Sequence, residues 1–142
     1  MHDLPPSLTA HASYLLSKAG KSARSRVAAD LAADDLRLWH PAILAALADF
    51  GPHAQRELAA RLNLDASDVV KALDELDARG WTERTRDPAD RRRHRVDITA
   101  AGRLALSGIL AATSRVDDEL LKPLSPRQRE QFRRLLRKIA DA

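Results

Sequence analysis

The chain has 142 residues, 44% of them hydrophobic and only 4% aromatic, enough apolar material for one small domain with flanking helices and too much for a disordered chain. It contains no cysteine, which excludes a disulfide framework, a thiolate zinc site and a thiol redox sensor. The formal net charge is +4, so an acidic, solvating protein is excluded and an anionic partner is favoured.

Met1–Ser7 lacks the basic stretch and apolar run of a signal peptide. No apolar stretch reaches bilayer-spanning length, so a cytoplasmic location without membrane contact is expected. Leu8, Ala12, Leu15, Leu16, Ala19, Ala23, Val27 and Leu31 recur by threes and fours and predict one long helix over residues 8–33, interrupted by Gly20. A second helix, 38–50, has Trp39, Ile43, Leu44, Leu47 and Phe50 as its apolar face and Gly51-Pro52 as its stop. Pro41 is tolerated in its first turn, where a missing N–H does no harm.

A short helix over 54–62 follows, then a tight turn at Asn63-Leu64-Asp65. The next helix begins with Asp65 as its N-cap and Asp68 in its first turn. Its buried side is expected to be Val69, Val70, Leu73 and Leu76, and Gly80 ends it. Two helices joined by so short a turn read as a helix-turn-helix. Strands are expected at 81–86 and 95–99, joined by a loop opening with Asp87-Pro88-Ala89-Asp90. This hairpin is a wing, and the charge is concentrated there. Residues 79–95 hold Arg79, Arg84, Arg86, Arg91, Arg92, Arg93 and Arg95 against three acids, and the other 17 basic and 17 acidic residues balance. A basic block on a neutral background marks a polyanion-facing surface. A long helix from 100 to 121 and a last helix complete the chain. Ser125, Pro126 and Gln128 supply that last helix with a capping box and a proline at its first position.

The stretch from Gln55 through Leu58, Leu62, Val69 and Leu76 to Gly80 resembles the helix-turn-helix of the MarR family. Asp87-Pro-Ala-Asp-Arg-Arg-Arg-His-Arg-Val-Asp-Ile-Thr-Ala-Ala-Gly102 is similar to that family's wing signature, in which Asp-x-Arg precedes an apolar-x-apolar-Thr strand and a helix opening with glycine. The resemblance implies a mainly α fold with a small β-hairpin wing. Residues 38–99 would form a winged helix-turn-helix lobe, and residues 1–37 with 100–142 a helical dimerisation region. It further implies a homodimer on a palindromic double-stranded DNA site. Many such proteins are repressors released by small anionic aromatic ligands. A ligand-independent activator or architectural DNA-binding protein is the alternative.

The site residues follow from these readings. Arg92 is the arginine of Asp-x-Arg and suits a narrow minor groove, with Asp90 orienting it through a charge-assisted hydrogen bond. Arg91 and Arg93 would meet phosphates. Ser67, Asp68 and Lys71 face outward from the recognition helix. Asp68 either complements the helix N-terminus or accepts from a cytosine amino group. Gln55 and Arg56 begin the preceding helix and are candidates for backbone contacts, although Ala54 stands where a Ser or Thr cap is common. His11, Tyr14 and Lys18, spaced by three and four, together with Trp39 and His40, are the candidate pocket for an aromatic carboxylate. No cofactor motif, metal-ligand cluster or nucleophile motif is present, so no cofactor, no metal and no enzymatic activity are expected.

Overall fold

The computed structural model describes residues 3–141. The elements, in chain order, are α1 (Pro6–Thr9), α2 (Ala12–Ala32), α3 (Trp39–Phe50), β1 (His53–Ala54), α4 (Gln55–Leu62), α5 (Ala66–Ala78), β2 (Thr82–Arg86), β3 (His94–Ile98), α6 (Ala100–Leu120) and α7 (Pro126–Ala140). They form two compact units. Residues 27–111 make up one, and the residues up to 26 with those from 112 onward make up the other.

The first unit holds the core. Ile43, Leu44 and Leu47 of α3, Leu58 of α4, Val69, Ala72, Leu73 and Leu76 of α5, and Val96 of β3 are fully or almost fully buried together, and Leu106 of α6 joins them. These are aliphatic residues at helical spacing, so each helix presents one stripe and turns a polar face to water. Truncating one of them would open a cavity costing about 2–5 kcal/mol. Beside this core lies a three-stranded antiparallel sheet in the order β1-β3-β2. Its register pairs Thr82 with Ile98, Arg84 with Val96 and Arg86 with His94. On the other edge His53 pairs with Val96 and Ala54 with Arg95.

Local chemistry explains several boundaries. Gly80, at φ +75°, closes α5 as a Schellman turn: Trp81 N–H donates to Leu76 C=O and Gly80 N–H to Asp77 C=O. Ser125 caps α7 with a complete capping box, Gln128 N–H donating to Ser125 Oγ and Ser125 N–H to Gln128 Oε1.

Other expectations are corrected. The long first helix is broken at Ala10–His11, where Ala10 N–H bonds back to Pro6 C=O and Thr9 Oγ1 donates to the same carbonyl, closing a short turn of helix. Gly20 leaves α2 unbroken, its cost of about 1 kcal/mol relative to alanine being too small to end a helix of this length. Phe50 is exposed rather than buried, with the Arg61 guanidinium 4.2 Å from its ring centroid. Strand β1 has no sequence signal, because a two-residue strand exists only through its pairing with β3.

In the second unit Val116 is buried and α7 buries no residue. Leu15, Leu16, Leu135 and Ile139 are exposed, Ile139 by 60%. Among the described residues, no helix is long and apolar enough to cross a membrane.

Candidate nucleic-acid interface

The helix-turn-helix consists of α4, a three-residue turn and α5. Asn63 takes the left-handed conformation (φ 52°, ψ 48°) that ends α4, and Leu64 N–H donates to Ala59 C=O. Asp65 occupies the N-cap of α5 with extended backbone, but its side chain makes no capping bond. Asp68, in the first turn, supplies the negative charge that the helix N-terminus favours.

The exposed face of α5 differs from expectation at one position. Val69, Ala72, Leu73 and Leu76 are the buried stripe, and Val70 is 41% exposed. Residues 69, 72, 73 and 76 follow the i, i+3, i+4, i+7 pattern; Val70 lies about 100° round the helix from Val69 and falls off that stripe. Ser67 and Lys71 are exposed, as expected, while Asp68 is half-buried.

Arg84 on β2 acts on this face from below. Its Nη2 donates to Asp74 Oδ1 at 2.7 Å, and its Nε lies 3.0 Å from Asp77 Oδ2, near enough for an ion pair but not aligned for a hydrogen bond. Thr82 Oγ1 also donates to Asp77. Two acids of the recognition helix thereby share the single positive charge of a wing-strand arginine. The sequence reading counted Arg84 only as wing charge. Its role becomes visible when its acidic partners are seen one helical turn apart on α5.

The wing tip is closed by its own aspartates. Ala89 N–H donates to Asp87 Oδ1 at 2.9 Å, Arg92 N–H to Asp90 Oδ1 at 3.0 Å and Arg93 N–H to Asp90 C=O at 2.9 Å. Asp87 N–H returns to Arg93 C=O at 2.9 Å. The two bonds to aspartate side chains are Asx turns, and the other two are backbone bonds that close the loop. Asp90 therefore engages the backbone of Arg92 and not its guanidinium, which corrects the expected charge-assisted bond. The side chains of Arg91, Arg92 and Arg93 are exposed and make no hydrogen bond or ion pair among the described residues. By contrast Arg79 is held by Asp34 C=O and lies over the Trp81 ring. A groove of about 330 Å³ is lined by Ala54, Gln55, Arg56, Arg93 and His94, so the start of α4 and the base of the wing share one concave, cationic surface.

A larger groove, about 620 Å³, is lined by residues that include Leu36, Arg37, Trp39, Lys71 and Glu75. His40 is not among its walls. It is fully buried, its Nδ1 accepting from Arg37 N–H at 2.8 Å and its Nε2 2.8 Å from Glu75 Oε2. The Arg37 bond assigns the proton to Nε2, which then donates to Glu75. His40 thus joins the start of α3 to the recognition helix across 35 residues. His11 immediately precedes α2, and Tyr14 and Lys18 lie within that helix, the Lys18 ammonium 5.9 Å from the Tyr14 ring centroid. These three belong to the second unit, whereas Trp39 and His40 belong to the first.

Burial holds the His40 pKa below its ordinary value, outweighing the opposing pull of Glu75. A histidine in the unfolded chain titrates near ~6.5 and takes up the proton first. The stability that His40 contributes is therefore complete above that pH and declines as pH falls from there through the lowered folded value. We expect acidification from pH 7.5 to 5.5 to lower the urea midpoint more in the wild type than in His40→Gln, and equal losses would overturn this assignment.

A helix-turn-helix followed by a basic β-hairpin, with exposed arginines at its tip, defines a winged helix-turn-helix DNA-binding protein. Residues 34–93 match the family model described as MarR family. The chain is 33% identical over 108 residues to the transcriptional regulator HosA of Escherichia coli O111:H-, covering 76% of this chain and 80% of that protein. It is 29% identical over 99 residues to the HTH-type transcriptional repressor NicR of Pseudomonas putida, covering 70% of this chain and 63% of that protein. A solved MarR-family regulator from Rhodococcus sp. RHA1 superposes with a TM-score of 0.81 at 28% identity, over 96% of each chain. The chain belongs to the MarR family and is a DNA-binding transcriptional regulator.

Proposed function

We propose that the protein is a homodimeric repressor that binds a palindromic operator, with Ser67 and Lys71 toward base edges, Arg92 in the adjacent minor groove, and Gln55, Arg56, Arg91 and Arg93 on phosphates. The observation that carries this reading is the set of arginines, without side-chain partners among the described residues, on a self-closed wing tip beside the groove that Arg56 and Arg93 line. Asp68 acts locally on its own helix end, and Asp90 orients the wing.

Residues 1–37 and 100–142 serve as the dimerisation region in this reading, and residues 38–99 as the DNA-binding lobe. The exposed Leu15, Leu16, Leu104, Leu135 and Ile139 support pairing, since a second copy would remove that apolar surface from water. The name of the relative NicR supports repression over activation. A small aromatic carboxylate is proposed as the effector. The groove with Trp39, Arg37 and Lys71 supports this, because it offers an aromatic wall and two cations beside the acids Asp35 and Glu75, the latter engaged by His40. His40 is proposed to support this groove from the core, while His11, Tyr14 and Lys18 belong to the other unit and are assigned no part in it.

The test is selection of bound sequences from random duplex DNA, followed by affinity at several salt concentrations. Enrichment of a palindrome is expected, with the log–log salt slope steepening by about 0.9 for each phosphate neutralised. A flat salt dependence with no enriched sequence would overturn the reading. Titrating aromatic carboxylates such as salicylate against the operator complex tests the effector. Full release requires an affinity difference of about 5.5 kcal/mol between the two forms.

A further inference from the structure

We infer that Val70 reads the 5-methyl group of a thymine in the operator and is the apolar specificity determinant of the recognition helix. This rests on the DNA-binding reading above and adds a base identity to it. The core is already served by Val69, Ala72, Leu73 and Leu76, all buried, and Val70 is left 41% exposed as the largest apolar side chain on the outer face of the helix. An isopropyl group facing water gains by meeting another apolar group.

Its neighbours on α5 decide what that group can be. Ser67 lies one turn before it, Lys71 is adjacent, and both are exposed. Asp74 lies one turn after it, where a free carboxylate would repel phosphates. Arg84 partly offsets that charge by holding Asp74 at 2.7 Å, although it shares its single positive charge with Asp77. The surface around Val70 is therefore a hydroxyl, an ammonium, an acid paired to Arg84 and the methyl of Ala66, so its apolar area is small. A protein partner would need a wider apolar patch than this. A duplex needs only a methyl. Thymine alone carries an apolar group on its major-groove edge, and that methyl tells T·A from A·T, whose acceptor–donor–acceptor row reads the same in both directions.

Deoxyuridine removes this methyl and keeps every hydrogen-bonding group, so it isolates the contact. The selected operator would be remade with deoxyuridine replacing each thymine in turn, and affinity measured for the wild type, Val70→Ala and Arg92→Ala. At one thymine position the wild type is expected to lose about four-fold in affinity, the value of one buried methyl-sized group. Val70→Ala should lose nothing further on the same replacement, whereas Arg92→Ala should bind more weakly throughout yet keep the four-fold penalty. Val70→Gln, which has no methyl and suits a helix, serves as a second variant should Val70→Ala lower the urea midpoint. A penalty that persists unchanged in the Val70 variants, or no penalty at any thymine in a duplex the wild type binds well, would overturn the assignment and leave the DNA reading standing. Failure to select any duplex would overturn both.

Discussion

Gly102→Ala is expected to lower stability by about 3 kcal/mol, the upper end of the range for overpacking. The backbone at Gly102 has an ordinary conformation, so the cost is one of space. A Cβ there would stand 2.8 Å from Ile98 Cγ1, 2.9 Å from the carbonyl carbon of Trp81 and closer still to its oxygen. Those last two atoms are backbone and cannot rotate away. They are also fixed by bonds of their own. Thr99 N–H donates to the Trp81 carbonyl at 2.9 Å, Thr99 Oγ1 donates to Gly80 C=O at 2.6 Å, and the same hydroxyl accepts from Gly102 N–H at 3.0 Å. The end of the wing, the start of α6 and the turn that closes α5 meet at this point. An added methyl must push α6 off the turn or break the Thr99 bonds. Urea denaturation would show the loss as a lower midpoint at unchanged slope. A midpoint shift worth less than about 0.5 kcal/mol, the level of an ordinary surface change, would mean that the turn can yield.

That glycine illustrates what could be read from the residues and what could not. Its place in a Thr-Ala-Ala-Gly run was part of the resemblance to a family signature, but the reason for a glycine there is the approach of Trp81, 21 positions earlier in the chain. Local chemistry was legible. The Ser125–Gln128 capping box and the Gly80 stop depend on residues within one turn of each other and form as their spacing predicts. The helix-turn-helix and the wing strands were legible because their apolar periods differ, near 3.6 in α5 and 2 in β3. Long-range pairings were not. His40 with Glu75, and Arg84 with Asp74 and Asp77, join residues whose charges say nothing alone about which partner each will find. Val70 was misplaced for a different reason. Its hydrophobicity pointed inward, while its angle on the helix, with the small Ala72 taking the buried position, turned it outward.

Electrostatics within the DNA-binding lobe divide the basic block into two functions. Arg79 and Arg84 hold the lobe together through Asp34 C=O, Trp81, Asp74 and Asp77. The side chains of Arg91, Arg92 and Arg93 have no hydrogen-bond or ion-pair partner among the described residues, and an exposed guanidinium of this kind keeps its full complement of donors for phosphates and groove edges. The excess charge seen in the composition is therefore partly structural. Counting all seven arginines between residues 79 and 95 as DNA contacts would overstate the salt dependence.

Arg92→Ala is expected to weaken operator binding by about 1–3 kcal/mol, a loss of roughly five- to 150-fold, as for a good specific contact. Arg92→Lys should recover only part of this, because an ammonium cannot reproduce the planar fork of the guanidinium. Arg91→Ala, if it removes a phosphate contact, should weaken binding across all sequences and reduce the salt slope by about one. Unchanged affinity in a folded Arg92→Ala protein would remove the wing tip from the interface. Asp90 provides the sharper comparison. Its Oδ1 accepts from the Arg92 backbone at 3.0 Å, a bond that the side-chain oxygen of asparagine can also make. Asp90→Asn should therefore bind nearly as the wild type does, and Asp90→Ala should lose affinity because the tip is no longer closed. A side-chain ion pair between Asp90 and Arg92 would give the opposite pattern, with Asp90→Asn as damaging as Asp90→Ala. Operator affinities of the two variants decide whether the wing aims its arginine through the backbone or through charge.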